Sequence, residues 1–154
     1  MNVLIGIIFI CISTFVGHNI SLKYVKRKKF YLDFNTFNKT LTTELNFSKS
    51  TLKSIFSNFE NKNGDFYSYF SGLYDNENKK INLEYLSNDE KQFIKDYFLS
   101  ISDADSETLK NYVGLSGAKI NDCLKLATND EKKYRTLYLK LGFLIGLIAL
   151  IVLL

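Results

Sequence analysis

The sequence predicts an all-α protein, a cytoplasmic helical bundle flanked by N-terminal and C-terminal transmembrane helices. Three observations carry that expectation. All sixteen acidic residues lie between Asp33 and Glu131, and there is no Lys, Arg, Asp or Glu before Lys23 or after Lys140. Nine of the twenty basic residues crowd the two borders of that stretch, each border facing an apolar run at a chain end. Between the borders, apolar residues recur at three, four or seven, the period of a helix face, and no alternating run is long enough for a strand. The expected division is residues 1–22 as one membrane helix, 23–136 as the bundle with basic membrane-proximal borders, and 137–154 as the second membrane helix.

The first apolar run, Val3 to Leu22, has the roughly 20 residues that a helix needs to cross a hydrocarbon core. His18 and Asn19 fall near its inner end, where polar groups are tolerated. The second run is uncharged from Leu141 to Leu154, and extending it back to Leu137 takes in Lys140, whose long stem can carry its ammonium to the interface. Lys23, Lys26, Arg27, Lys28 and Lys29 follow the first run, and Lys132, Lys133, Arg135 and Lys140 precede or open the second. The positive-inside rule then puts both borders in the cytoplasm and both termini on the opposite face. These nine side chains are the candidate membrane-surface contacts, each worth about 1 kcal/mol toward anionic lipid. A secretory signal carries its positive charge ahead of the apolar core and ends in a small-residue cleavage site. Here the charge lies behind and no such site follows, so an uncleaved anchor is expected. The competing reading, a soluble protein with two buried helices, is disfavoured because core helices seldom carry apolar runs this long.

Between the anchors, Tyr24, Tyr31, Phe34, Phe37, Leu41 and Leu45 mark one face of a helix into which the first anchor is expected to run directly. A second helix is expected over Ser48 to Phe59, with Leu52, Ile55, Phe56 and Phe59 on one face, ended by the turn Asn61-Lys62-Asn63-Gly64. The aromatic segment from Phe66 to Tyr74 offers Phe66, Tyr67, Tyr69, Phe70 and Tyr74, mostly for the core, with a docking patch as the alternative; the polar loop Asp75 to Lys80 follows. Ser87-Asn88-Asp89-Glu90 has the S-x-x-E form of a capping box, in which hydroxyl and carboxylate each satisfy a free amide at the helix start. The helix it opens, to Ile101, would bury Phe93, Ile94, Tyr97, Phe98 and Ile101. Ser102 to Ser106 reads as a turn and N-cap, since short oxygen side chains compete for the free amides there. After it, Leu109, Tyr112, Val113, Ile120, Leu124 and Ala127 repeat helically toward Tyr134 and the second anchor, with local bending expected at Gly114 and Gly117.

From Phe30 to Glu131 there are eleven lysines and no arginine against sixteen acids, a formal charge of −5. A nucleic-acid binder would place positive charge on the folded domain, so DNA and RNA are excluded as expected partners. About a hundred residues make one core, not two. Cys11 sits in the first membrane run and Cys123 near the other end, and a cytoplasmic location disfavours pairing them. His18 is the only histidine, and neither paired cysteines nor a Gly-rich phosphate loop is present, so no catalytic residue, metal or cofactor is expected. Asp103, Asp105 and Glu107 lack the length and central Gly of a calcium loop, and helix capping accounts for acids at a helix start. Gly142 and Gly146 make a G-x-x-x-G, and Ser13 and Gly17 a small-x-x-x-small pair, spacings that let membrane helices approach closely. The two anchors are expected to pack there as an antiparallel pair or to meet partner helices, and large residues at Gly142 and Gly146 to disturb assembly more than the soluble fold.

Several runs share their order and spacing with one known family. Glu44-Leu45-Asn46-Phe47 stands where that family has E-I-x-Y, with Leu52 where a Pro-Leu pair is usual, and residues Leu99 to Glu107 stand for L-G-x-S-D-x-x-x-Q. The end matches best, Leu137 to Leu147 standing for L-Y-R-S-L-G-x-L-x-G-L. With the two-anchor plan, these runs resemble the stage III sporulation protein AB family of endospore-forming bacteria, itself similar to the helical cytoplasmic domains of type II secretion inner-membrane platform proteins. The chain departs at Ser100 for Gly, Glu107 for Gln and Leu139 for Arg, and it has no Pro. The resemblance implies a non-enzymatic, membrane-anchored assembly or platform component of the channel complex between mother cell and forespore. It implies a place in the mother-cell membrane around the forespore, with the helical domain in the mother-cell cytoplasm. The implied partners are other channel-complex proteins and a cytoplasmic secretion-type ATPase, with self-association also compatible. Asp103, Asp105 and Glu107 are the candidate partner-docking face. Two alternatives stand beside it. One is a membrane-tethered lipid-binding or signalling module unrelated to sporulation, whose binding would fall steeply with salt. The other is a platform-like component of another secretion system.

Overall fold

The structure, a computed structural model, describes residues 2–47, 52–57, 62–74, 83–103 and 106–153. Among these residues there are five α-helices and no strand: α1 (Asn2–Phe47), α2 (Leu52–Ser57), α3 (Asp65–Tyr74), α4 (Asn88–Asp103) and α5 (Ser106–Leu153). The all-α class and the apolar terminal helices follow the sequence expectation. The first anchor does run directly into the next helix, making α1 46 residues long, and α5 of 48 residues does the same at the other end. The chain forms two compact units, one of Met1–Lys28 with Leu126–Leu154, the other of Lys29–Lys125.

The Lys29–Lys125 unit is built on one aromatic core. Tyr31, Phe34, Phe37 and Leu41, spaced at three or four along α1, are all fully buried, as a single helix face packed against the rest of the unit requires. Phe66 and Phe70 from α3, Ile94, Tyr97, Phe98 and Ile101 from α4, and Leu109, Val113 and Ile120 from α5 join them in the core, as do Ile55, Leu83 and Leu86. Phe34 stacks on Phe66 at 5.3 Å between ring centroids and meets Tyr97 edge-on at 4.8 Å. Such pairs contribute about 0.5–1.5 kcal/mol beyond the area they bury. Tyr67 and Tyr69 are only half-buried, so the aromatic segment divides between core and surface by its helical period.

Both halves of the capping box form. The Glu90 backbone N–H donates to Ser87 Oγ at 3.2 Å, and the Ser87 N–H donates to Glu90 Oε2 at 2.8 Å. The other carboxylate oxygen, Oε1, accepts the Tyr31 hydroxyl at 2.8 Å, which ties the start of α4 to α1. Burial first, and then the Glu90 carboxylate, push the Tyr31 phenol well above its ordinary value, so it remains a donor. Glu90→Ala is expected to lose about 1–3 kcal/mol, the cap together with the partner of a buried hydroxyl. Glu90→Gln, which keeps the box, should lose less; urea unfolding of the two variants makes the comparison.

Two expectations change, the burial of Phe93 and the end of α4. Phe93 is half-buried, with the Lys119 ammonium 4.0 Å over its ring, because it sits at the edge of the stripe that Ile94 and Tyr97 occupy. Phe30, outside the sequence stripe, is 1% exposed and meets Phe66 edge-on at 5.5 Å. α4 continues through Ser102 and Asp103, the Ser102 hydroxyl donating back to the Phe98 carbonyl at 2.9 Å, a bond that keeps serine compatible with a last helical turn. α5 runs unbroken through Gly114 and Gly117. At Gly117 a Cβ would stand 2.8 Å from Asn38 Nδ2, and Asn38 is itself buried and accepts the Tyr97 hydroxyl at 2.8 Å. The expected loop 75–80, residues 48–51 and 58–61, and Ala104 and Asp105 lie outside the described residues.

Candidate functional site

The other unit pairs the N-terminal part of α1 with the C-terminal part of α5. The most apolar 18-residue windows of these helices have mean hydropathies of 1.8 and 1.9, yet only 17% and 11% of them is covered by the rest of the protein. A helix in the core of a soluble protein would be covered. Phe15 at 64%, Phe143 at 48% and Ile151 at 70% exposure show the apolar faces turned outward. Both helices are long and apolar enough to cross a membrane.

Small residues lie at several points where the two helices touch. A Cβ at Gly142 would stand 2.6 Å from the Ser13 carbonyl oxygen and 3.2 Å from Thr14 Cα, and one at Gly146 would stand 2.5 Å from both Ile10 Cα and Ser13 Oγ. Gly17 abuts the Tyr138 carbonyl, and Gly6, which the spacing motifs did not single out, abuts the Leu150 side chain. Early positions on α1 meet late ones on α5 and the reverse, so the pair is antiparallel. Ser13, Gly17, Gly142 and Gly146 thus share one contact within the chain.

At the borders the same helices meet through rings and charges. Tyr24 stacks on Tyr134 at 4.9 Å and lies 6.0 Å from Tyr138. The Lys23 ammonium lies 5.0 Å from the Tyr24 ring and the Lys133 ammonium 5.2 Å from the Tyr134 ring. Arg27 pairs with Asp130 at 2.6 Å, while Glu131 accepts from Lys28 at 3.4 Å and Arg135 at 3.1 Å. Arg27, Lys28 and Arg135 therefore face carboxylates, whereas Lys26, Lys29, Lys132 and Lys140 are exposed. The sequence does not separate these nine border cations, because Arg27 and Asp130 are 103 positions apart. The available signal was that Asp130-Glu131 directly precedes a basic cluster.

The Arg135 hydrogen bond, with Lys28 adding to it, holds the Glu131 carboxyl below its ordinary 4.5. A carboxyl whose folded value is depressed contributes stability that is complete above its unfolded value and is lost as pH falls through the folded one. The α1–α5 contact at this border is therefore expected to weaken as pH falls below about 4.5. Glu131→Gln should flatten that dependence, read as thermal stability against pH in the same detergent. The loss is of surface ion-pair size, at most about 1 kcal/mol.

Of the candidate docking acids, Asp103 ends α4, Glu107 is exposed in the first turn of α5, and Asp105 lies outside the described residues. Among the described residues no group of three His, Cys, Asp or Glu is placed to hold a metal ion. Cys11 is exposed and Cys123 half-buried, both as thiols. Comparison with known families decides what this arrangement belongs to: the family model described as stage III sporulation protein AB matches residues 2–154. The chain belongs to that family. No curated protein and no solved structure matches it. Membership in the stage III sporulation protein AB family gives the chain a role in sporulation. The terminal run Leu137 to Leu147 is the segment whose Tyr138, Gly142 and Gly146 contact α1.

Proposed function

We propose that this chain is a non-enzymatic, membrane-anchored platform or assembly component of the channel complex between mother cell and forespore. The observation that carries the reading is the pair of outward-facing apolar helices, locked by glycines and bordered by lysines, in a chain of a sporulation family. It acts by binding. The helical domain faces the mother-cell cytoplasm and both termini face the other side of the membrane around the forespore; the basic borders support the cytoplasmic side. Its partners are membrane proteins of the complex and a cytoplasmic secretion-type ATPase, an assignment made by fold-level analogy. Asp103, Asp105 and Glu107 are the proposed docking face, and Lys26, Lys29, Lys132 and Lys140 the proposed lipid contacts.

The test is a pull-down of the tagged chain from sporulating cells in mild detergent, with identification of the co-purifying proteins. Recovery of a secretion-type ATPase with sporulation membrane proteins supports the platform role. Their reproducible absence overturns it. Reversal of charge at both Asp105 and Glu107 is expected to abolish ATPase recovery while the fold is kept; intact recovery removes this face. For topology, an impermeant maleimide is expected to label Asn2→Cys on intact vegetative cells expressing the chain, and Lys132→Cys only after permeabilisation. The reverse pattern overturns the orientation.

A further inference from the structure

In the Lys29–Lys125 unit, α3 and α4 leave an apolar groove of about 110 Å3 lined by Phe70, Leu73, Lys95, Phe98, Leu99 and Ser102. The Phe70 and Phe98 rings meet edge-on at 3.9 Å between centroids and are almost covered, while Leu73 is 41% and Leu99 55% exposed. Single exposed leucines are ordinary. Two of them on opposite walls of one apolar concavity mark a place for another side chain. The groove is smaller than the cavities of about 150 Å3 that hold a benzene ring, so it accommodates one aliphatic side chain of leucine size.

Charge selects the occupant. Among the described residues Lys95 is the only ionisable one on the lining, it lies one helical turn before Leu99 on the same face, and it has no ion-pair partner there. A second copy docked groove to groove would set Lys95 against Lys95. A cation alone on an apolar wall fits a carboxylate brought by a different chain. We infer that the groove binds an amphipathic helix of a partner protein, which inserts one large apolar side chain between Leu73 and Leu99 and sets an Asp or Glu one turn away against Lys95. The inference rests on the platform reading for the existence of a protein partner, and adds the chemistry by which that partner is recognised.

The test uses the full chain in lipid nanodiscs and a fluorescent alanine-based helical peptide with Leu and Glu four residues apart, read by anisotropy. Binding is expected, with a loss of about tenfold or more, the size of one good contact, when the peptide's Leu becomes Ala or its Glu becomes Lys. Lys95→Glu should reverse the preference toward the Lys peptide, and circular dichroism checks that this exposed substitution leaves the helices intact. Absence of binding, equal binding of the Glu and Lys peptides, or indifference to Lys95→Glu overturns the inference. So does efficient disulfide formation between copies carrying Leu99→Cys, which assigns the groove to self-association. Peptide binding without ATPase recovery in the pull-down keeps the groove and removes the platform role; the opposite result does the reverse.

Discussion

Phe34→Ala is expected to destabilise the Lys29–Lys125 unit by about 3–5 kcal/mol, the usual cost of removing a buried phenylalanine from a core that cannot collapse around the gap. Phe34 is fully buried and stands among the rings of Phe66, Phe93, Tyr97 and Phe98, with centroids at 5.3, 6.1, 4.8 and 6.3 Å. These rings come from α3 and α4, so the cavity would open where three helices converge, and no one of them can close it alone. Domains of this size are stable by about 5–15 kcal/mol, so the variant would lose a large fraction of the total. Urea unfolding of the full chain in detergent, followed by tyrosine fluorescence, measures it. Phe93→Ala is the control: the same chemistry at a half-buried ring should cost far less. Equal losses at the two positions would mean that the burial pattern is wrong.

In the paired apolar terminal helices, Gly142→Leu is expected to force α1 and α5 apart. The new Cβ would stand 2.6 Å from the Ser13 carbonyl oxygen and 3.2 Å from Thr14 Cα, both backbone atoms that cannot rotate away. Overpacking of this kind costs about 1–3 kcal/mol where side chains can adjust, and backbone neighbours leave less room to do so. The readout is the distance between spin labels on Lys26→Cys and Lys132→Cys with Cys11 and Cys123 replaced by Ser, and a clear widening is expected. At Gly6 the atoms nearest a new Cβ belong to the Leu150 side chain, which can rotate, so a smaller change is expected for Gly6→Leu. Gly114→Leu, with nothing within 4 Å, should leave the distance unchanged. A Gly142→Leu variant with unaltered distance would show that the close approach at this glycine does not hold the pair.

Much of the fold could be read from local patterns. A helix start needs only four residues, so Ser87 to Glu90 announced α4, and both hydrogen bonds of the box are present. The stripe from Tyr31 to Leu41 needed only its own spacing to name a buried face. Phe30 and Phe93 are not legible in this way because residues at the edge of a stripe are buried or exposed according to the neighbour laid against them, Phe66 in one case and the Lys119 ammonium in the other.

The site was less legible. Glycine spacing marked Gly17, Gly142 and Gly146 as residues fit for close approach, but the same spacing serves a partner helix equally well. Gly6 carried no motif and lies opposite Leu150 all the same. Nor did composition separate Arg27, Lys28 and Arg135, which face Asp130 and Glu131, from the exposed lysines beside them. The groove between α3 and α4 had no sequence signature, since Leu73 and Leu99 are ordinary members of their helices.

The sequence by itself determined the helical class, the two apolar terminal helices, the start of α4 and the family, because hydrophobic period, charge absence and capping are properties of neighbouring residues. Only the tertiary structure decided which glycines meet which backbone, which cations face carboxylates, and where α3 and α4 leave an apolar groove. Those depend on the register between helices, and register is fixed by packing across distances such as the 59 positions from Tyr31 to Glu90 and the 103 from Arg27 to Asp130.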